Sequence, residues 1–347
     1  MSVSIEQIVA DSANLKASDI HLSFGSVPKI RVDGDLTDLP GYAPLTDEDC
    51  EGIYMQLAGE EFPKLGEQDF ATQLAGHRLR LNVYRQAGHV ACALRILSDN
   101  IPDLEKLTLP PVVSTFPTYD KGIVLVTGET GSGKSTTLAA ILKKINQTRP
   151  DHIITLEDPI EYVHEEEMSL IDQREIGVDT ASYADGLRAI LREDPDVILI
   201  GEMRDMETTS IALTAAETGH LVFATLHTNS AADSIDRIVN IFPAERQTQV
   251  RMQVSTTLKA VLSQQLLKKR GGGRIAACET MIVNDAIRNM IRDGKTPMIF
   301  SAISTTRDIG GMIMDNHIIE LYRNRMITRE TALEAAHDQD YVKKNTL

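Results

Sequence analysis

Positive charge is what this chain is short of. Its 347 residues carry 35 Lys and Arg against 50 Asp and Glu, a formal net charge of −15. Such a surface argues against general binding to nucleic acid or to an anionic bilayer, both of which need an excess of cations; only a local basic patch escapes that argument. Cysteine is also scarce. Cys50, Cys92 and Cys278 are widely separated and make neither a C-x-x-C metal pattern nor a disulfide framework. They are expected to be small buried hydrophobes in a reducing cytoplasm. No apolar run approaches the ~20 residues of a membrane span, and no secretory leader opens the chain, so direct membrane insertion is not expected. Tryptophan is absent, which excludes nothing. No internal repeat and no low-complexity segment is found.

What is present is enough apolar sequence, 42% of the chain, for two domains with their own cores. Residues 1–100 are expected to form a small α+β domain. Ile5 to Leu15 is amphipathic, Ile20–Ser23 and Lys29–Asp33 alternate like strands, and Asp33-Gly34 is a hairpin signal. Leu45 to Leu57 opens with Thr46-Asp-Glu-Asp, acids placed at the positive end of a helix. His77–Tyr84 and Val90–Leu97 are strands joined at Gln86-Ala-Gly-His89. Pro102, Pro110 and Pro111 mark a linker over 101–111, because proline interrupts regular hydrogen bonding.

From 112 to 347 strands and helices alternate. Strands at 122–127, 152–157, 197–202 and 221–227 with helices between them predict a parallel sheet covered on both faces, an α/β fold. Ser182 to Arg192 opens like a capping box with Asp185 in place of Glu, and Thr208 to Glu217 is a further helix. Beyond Ala244 the pattern is helical, except for a β-hairpin over Leu266 to Val283 around Lys269-Arg-Gly-Gly-Gly-Arg274.

The strongest local signal is Gly128-Glu-Thr130-Gly131-Ser132-Gly133-Lys134-Ser135. It matches G-x-x-x-x-G-K-[ST] and lies between a buried strand and a helix, the arrangement that aims backbone N–H groups and a helix N-terminus at phosphate. A flexible glycine turn does not account for a Lys-Ser pair at the helix start. Gly128, Thr130, Gly131, Ser132, Gly133, Lys134, Ser135 and Thr136 are the candidate nucleotide contacts. Lys134 is expected at the β- and γ-phosphates of ATP, and the Ser135 hydroxyl at Mg²⁺.

Hydrolysis needs more: metal handling, a positioned water and positive charge at the γ-phosphate. Val197-Ile-Leu-Ile-Gly-Glu202 is an apolar strand ending in an acid, with Gly201 where Asp is usual. Glu202 is left with the metal-side role, through water. Thr155-Leu-Glu157-Asp-Pro-Ile-Glu161 puts three carboxylates at a strand end, where ligands collect in open α/β sheets. Either Glu157 or Glu161 aligns the attacking water. A further strand ends in Thr225-Leu-His227, which brings His227 to the same edge, in reach of the γ-phosphate; His220 begins that strand and belongs at the opposite edge.

These four elements, in this order, resemble the Walker A loop, aspartate box, atypical Walker B and histidine box of the secretion ATPase superfamily. The resemblance covers nearly the whole chain and is nearest to its PilT-type pilus retraction motors. Ala17-Ser-Asp-Ile-His-Leu-Ser23, Ile30–Asp35 and Arg192–Asp205 belong to it. So does Ala286-Ile-Arg-Asn-Met-Ile-Arg-Asp-Gly294, similar to that family's AIRNLIRE helix apart from Met290 and Asp293. Extra N-terminal domains and a tetracysteine module, usual in extension motors, are not found. The resemblance implies a RecA-like ATPase domain preceded by a PAS-like domain, and a homo-hexameric ring. It places ATP in the cleft between the two domains, with Arg80, Arg85 and Arg95 as candidates to reach the phosphates. It further implies a cytoplasmic motor recruited to the inner membrane by a PilC-like platform protein, with a paralogous motor ATPase as a further partner. Extension and secretion ATPases share the chemistry and stand as the alternative machines. On helix 285–293, Ile287, Met290 and Ile291 form one stripe, and Arg288 and Arg292 another face.

Overall fold

The computed structural model describes residues 3–32, 34–97 and 100–346. The chain divides into two compact units, Met1–Asn100 and Ile101–Leu347.

In the first unit, helix α1 (Ile5–Asn14) precedes strands β1 (Asp19–Leu22), β2 (Lys29–Val32) and β3 (Asp35–Asp38). Helix α2 (Asp47–Ala58) and strands β4 (Glu67–Leu74), β5 (His77–Gln86) and β6 (His89–Ile96) complete it. The six strands pair in the order β3-β2-β1-β6-β5-β4. Ile8, Val9, Ile53 and Tyr54 of the helices bury against Leu79, Leu81 and Val83, alternate residues of β5. α2 starts where the acids predicted it: Thr46 and Asp49 cap each other's backbone reciprocally. Ala87 and Gly88 turn the β5–β6 hairpin with positive φ of 52° and 90°. Asp33 of the predicted strand and hairpin signal lies outside the described residues. β4 was not legible because it is an edge strand of mostly polar residues, Glu-Gln-Asp-Phe-Ala-Thr-Gln-Leu.

The second unit holds β7 (Gly122–Thr127), α3 (Lys134–Thr148), β8 (His152–Glu157), β9 (Leu170–Glu175), α4 (Tyr183–Ile190), β10 (Val197–Ile200) and α5 (Met206–Glu217). It continues with β11 (Leu221–Leu226), α6 (Ala231–Asn240), α7 (Ala244–Thr257), β12 (Leu258–Lys268), β13 (Arg274–Ile282) and α8 (Asp285–Arg292). Helices α9 (Ile299–Ser304), α10 (Met314–Arg323), α11 (Arg329–Ala335) and α12 (Gln339–Asn345) end it. The sheet order is β13-β12-β7-β11-β10-β8-β9; neighbours are parallel except β12 and β13. β7 shows why its strands read as unbroken apolar runs: Ile123 and Leu125 face one helical layer, Val124 and Val126 the other. Leu104, Val113 and Phe116, just before β7, bury against the layer formed by α3.

Two expectations need correction. β12 begins at Leu258, in a stretch read as helix, and fills the edge of the parallel sheet beside β7. β9 was missed because it is an edge strand with four of its six residues polar. Ser182 caps α4 through the Asp185 N–H, but its hydroxyl also takes the Asp185 carboxylate, so the reciprocal half of the box is not made. On α8, Ile287 and Ile291 are fully buried and Met290 packs beside them, so that stripe belongs to the core. The three cysteines are buried and unpaired. No described helix is long and apolar enough to cross a membrane.

His317, buried on α10, accepts the backbone N–H of Cys278 at 2.9 Å, and burial pushes its pKa down to about 4. The unfolded chain takes up this proton near pH 6.5. Between the two values the unfolded state therefore binds more protons, so stability is full above pH 6.5 and falls as pH drops towards 4. Between pH 7 and 4, wild type is expected to lose about 3 kcal/mol more than His317→Asn in urea unfolding. Parallel pH profiles would contradict this.

Candidate active site

The glycine loop runs from the end of β7 into α3, and its geometry explains its residues. Gly131 and Gly133 have φ of 80° and 91°, a region that costs other residues strain. A Cβ on Gly128 would lie 2.2 Å from the Gln264 carbonyl oxygen. β12 thus presses on the loop, and Gln264 also donates from Nε2 to the Ser132 carbonyl at 2.9 Å. The Ser132 hydroxyl and the Gln264 Oε1 are buried without a protein partner. Lys134 is 9% exposed and donates to the carbonyls of Gly128 and Glu129 at 2.8 and 2.9 Å. Burial lowers its pKa; the charges of Glu202 and Glu161 act in the opposite direction. Both carboxylates are therefore electrostatic neighbours of the loop lysine. Ser135 and Thr136 open α3, half-buried, and the Thr136 hydroxyl meets the Tyr162 hydroxyl at 2.8 Å. Thr130 is exposed and, with Glu129, Asn229, Arg274 and His337, lines a cavity of about 450 Å³.

The two candidate water-aligning acids differ. Glu157, at the end of β8, accepts from the Thr155 hydroxyl at 2.7 Å and from Gln173 Nε2 at 3.3 Å. Burial pushes its pKa up, against these hydrogen bonds and the Glu161 N–H. Glu161 is half-buried, and its charge is felt at Lys134.

Glycine at 201 has a steric cause. A Cβ there would meet the Tyr183 hydroxyl at 2.8 Å and the Leu156 carbonyl at 3.1 Å, so an aspartate would have to displace the tyrosine and crowd the strand. The Gly201 N–H donates to Leu156 O at 2.7 Å, and its carbonyl accepts the Thr225 hydroxyl. Glu202 is thereby held at the strand end. One of its oxygens lies 2.7 Å from Arg204 and the other 3.2 Å from His227 Nε2. Burial pushes the Glu202 pKa up, but Arg204 and His227 outweigh it and leave the carboxyl below its ordinary value. His227 joins the acidic element directly, and Asn229 two residues on donates to Glu129 of the glycine loop at 3.3 Å. His220 sits at the other end of β11, bonded to Ala215 O at 2.9 Å.

Ser135 and Glu202 are the candidate Mg²⁺ donors. Among the described residues no group of three His, Cys, Asp or Glu forms a metal cage. A hydroxyl, one carboxylate and substrate phosphates are a donor set that suits Mg²⁺, which keeps several waters and seldom takes an all-protein cage.

The three arginines of the first unit are not equivalent. Arg85 donates to the carbonyls of Pro63, Phe62 and Gly88, pairs with Glu51 at 3.3 Å and stacks on Phe62. Its guanidinium is committed to holding the β5–β6 hairpin to the segment before β4. Arg80 and Arg95 are exposed and face each other directly across β5 and β6. Arg95 also pairs with Asp19 at 2.9 Å.

Sequence reasoning missed Gln264, Arg204, Tyr162 and Asn229. Gln264 had no signal, because its strand reads as helix. Arg204 and Asn229 each lie two residues beyond a named candidate, and Tyr162 directly follows Glu161.

Residues 89–344 match the family model described as type II/IV secretion system protein. The chain is 45% identical over 337 residues to the type IV pilus retraction ATPase PilT of Pseudomonas aeruginosa, covering 96% of this chain and 98% of that one. It is 37% identical over 324 residues to the type IV pilus ATPase PilU of the same organism, covering 92% and 85%. A crystal structure of the pilus retraction motor PilT with bound ADP superposes with a TM-score of 0.89 at 45% identity, covering 99% of this chain and all of that one. The second unit is accordingly a RecA-like P-loop core and the first its smaller α+β companion, as the sequence led us to expect, and the chain belongs to the type II/IV secretion system protein family.

Proposed function

We propose that the chain is an ATP-hydrolysing motor that works as a homo-hexameric ring and powers retraction of a type IV pilus, and with it twitching movement. The observation that carries this reading is the meeting of Lys134, Glu161, Glu202 and His227 at the carboxyl edge of one parallel sheet. The 45% identity to a pilus retraction ATPase over nearly the full length of both chains supports the choice of machine. Its margin over the 37% identity to PilU favours a principal motor rather than an auxiliary paralogue.

In this reading the backbone of residues 128–133 and Lys134 hold the β- and γ-phosphates of ATP, and the start of α3 faces them with its positive end. Ser135 and, through water, Glu202 hold Mg²⁺, which when bound neutralises charge developing on the phosphate oxygens. Glu161 orients the attacking water. Glu157, occupied by Thr155 and Gln173, supports the turn that carries Glu161. His227 reads the γ-phosphate and transmits its loss through Glu202. Arg80 and Arg95 supply the remaining positive charge. Two like charges directly opposite on neighbouring strands repel, and a bound phosphate relieves that repulsion. Arg85 is assigned to structure instead. The acidic surface favours recruitment to the cytoplasmic side of the inner membrane by a protein, a PilC-like platform, over adhesion to lipid. The face of α8 carrying Arg288 and Arg292 is the part of that helix open to such a partner.

Deletion in the native host tests the assignment. The expected result is more surface pili, none of them retracting, and loss of twitching. Absent pili, or a secretion defect with pili intact, would assign the chain to an extension or secretion machine.

A further inference from the structure

Glu279 is a buried carboxylate that the chemistry above does not use. It lies on β13 opposite Ser263 of β12 and is 2% exposed. Its Oε1 accepts the backbone N–H of Ala231 at 2.9 Å, and the Met314 N–H also acts to lower its pKa, against the effect of burial. Ala231 and Met314 are the first residues of α6 and α10. The first turn of a helix has N–H groups without intrahelical partners and carries partial positive charge. α10 has no side-chain cap of its own at Ile313. One acid therefore pins the start of α6 and faces the start of α10.

The residues before α6 give this a consequence for hydrolysis. They are His227-Thr-Asn-Ser230. The Thr228 and Ser234 hydroxyls meet at 2.7 Å, and the Ser234 hydroxyl donates to the Ser230 carbonyl at 2.7 Å. The histidine-bearing loop is thus tied to the first turn of α6, and that turn is tied to Glu279. At its other end the loop places His227 3.2 Å from Glu202. We infer that Glu279 is a positioning residue for ATP hydrolysis, which fixes the start of α6 and through it holds His227 against Glu202. This inference rests on the hydrolysis reading above.

The test is steady-state MgATP turnover by the full chain. Glu279→Gln keeps the shape but removes the negative charge that faces the first turn of α6. It is expected to lower kcat by roughly tenfold to a hundredfold, as misplacement of a catalytic group does. KM should stay within about twofold, because the glycine loop is untouched. Ser234→Ala should lower kcat in the same way, and the double variant should be no worse than the stronger single one, since both act through one loop. A merely structural role predicts losses that multiply, or a fall in folded fraction with unchanged turnover per folded molecule. Either outcome, or an unchanged kcat in Glu279→Gln, overturns the inference. If Glu279→Gln does not fold, Ser234→Ala decides alone, and an unchanged kcat there also overturns it. A wild-type chain without turnover overturns the hydrolysis reading and this one together.

Discussion

Lys134→Ala abolishes ATP turnover: phosphate release by the purified variant is expected to fall by at least about 10³-fold, the upper range for loss of one preorganised charge at a reacting oxygen. The lysine is buried at the start of α3, bonded to the carbonyls of Gly128 and Glu129, and flanked by the charges of Glu202 and Glu161. No other cation among the described residues is bonded into the glycine loop in this way. Alanine removes the charge and leaves the loop glycines and the α3 start in place. The variant should therefore fold and assemble while losing nucleotide affinity as well as turnover. Normal hydrolysis by Lys134→Ala would show that the loop is not where ATP is cleaved.

Glu202→Ala is expected to separate binding from chemistry. The side chain lies beyond the end of β10, held by Arg204 and His227, and among the described residues it makes no hydrogen bond to the loop backbone that cradles phosphate. Nucleotide affinity should change by less than about tenfold, while turnover falls by roughly 10²–10⁴-fold, the range for loss of a group that acts on the reacting water or its metal. Burial opposes ionisation of Glu202, and Arg204 and His227 overcome it, so alanine also removes a desolvated charge and should not unfold the chain. Filter binding of labelled ATP beside a phosphate-release assay reads both quantities. Full-rate turnover by this variant would contradict the metal-side assignment.

The parts of this site that were legible in the sequence are those whose chemistry is local. A glycine loop between a buried strand and a helix announces itself, because each glycine answers to a backbone demand within the same few residues. The ends of β8, β10 and β11 were legible because a central parallel strand is apolar throughout and the first polar residue after it marks the edge. What was hidden depends on contacts distant in sequence. Gly201 looked like a missing aspartate, and only the Tyr183 hydroxyl and the Leu156 carbonyl show how little room a side chain has there. Glu157 and Glu161 look alike in sequence, and the Gln173 side chain that occupies Glu157 comes from an edge strand too polar to be read. Arg85 looked like Arg80 and Arg95 until its carbonyl partners at residues 62, 63 and 88 were seen. β12 was concealed by a composition that suits helix and strand alike, and with it went Gln264 and the pressure on Gly128. The stripe on α8 was correctly periodic, but periodicity does not say whether a helix buries its apolar face in its own core or offers it to a partner.

Phosphate release by the purified, assembled wild-type chain, with and without Mg²⁺, tests the central claim most directly. Sustained Mg²⁺-dependent cleavage of ATP is the predicted result. Well-folded, assembled protein that binds ATP and never cleaves it would contradict the account.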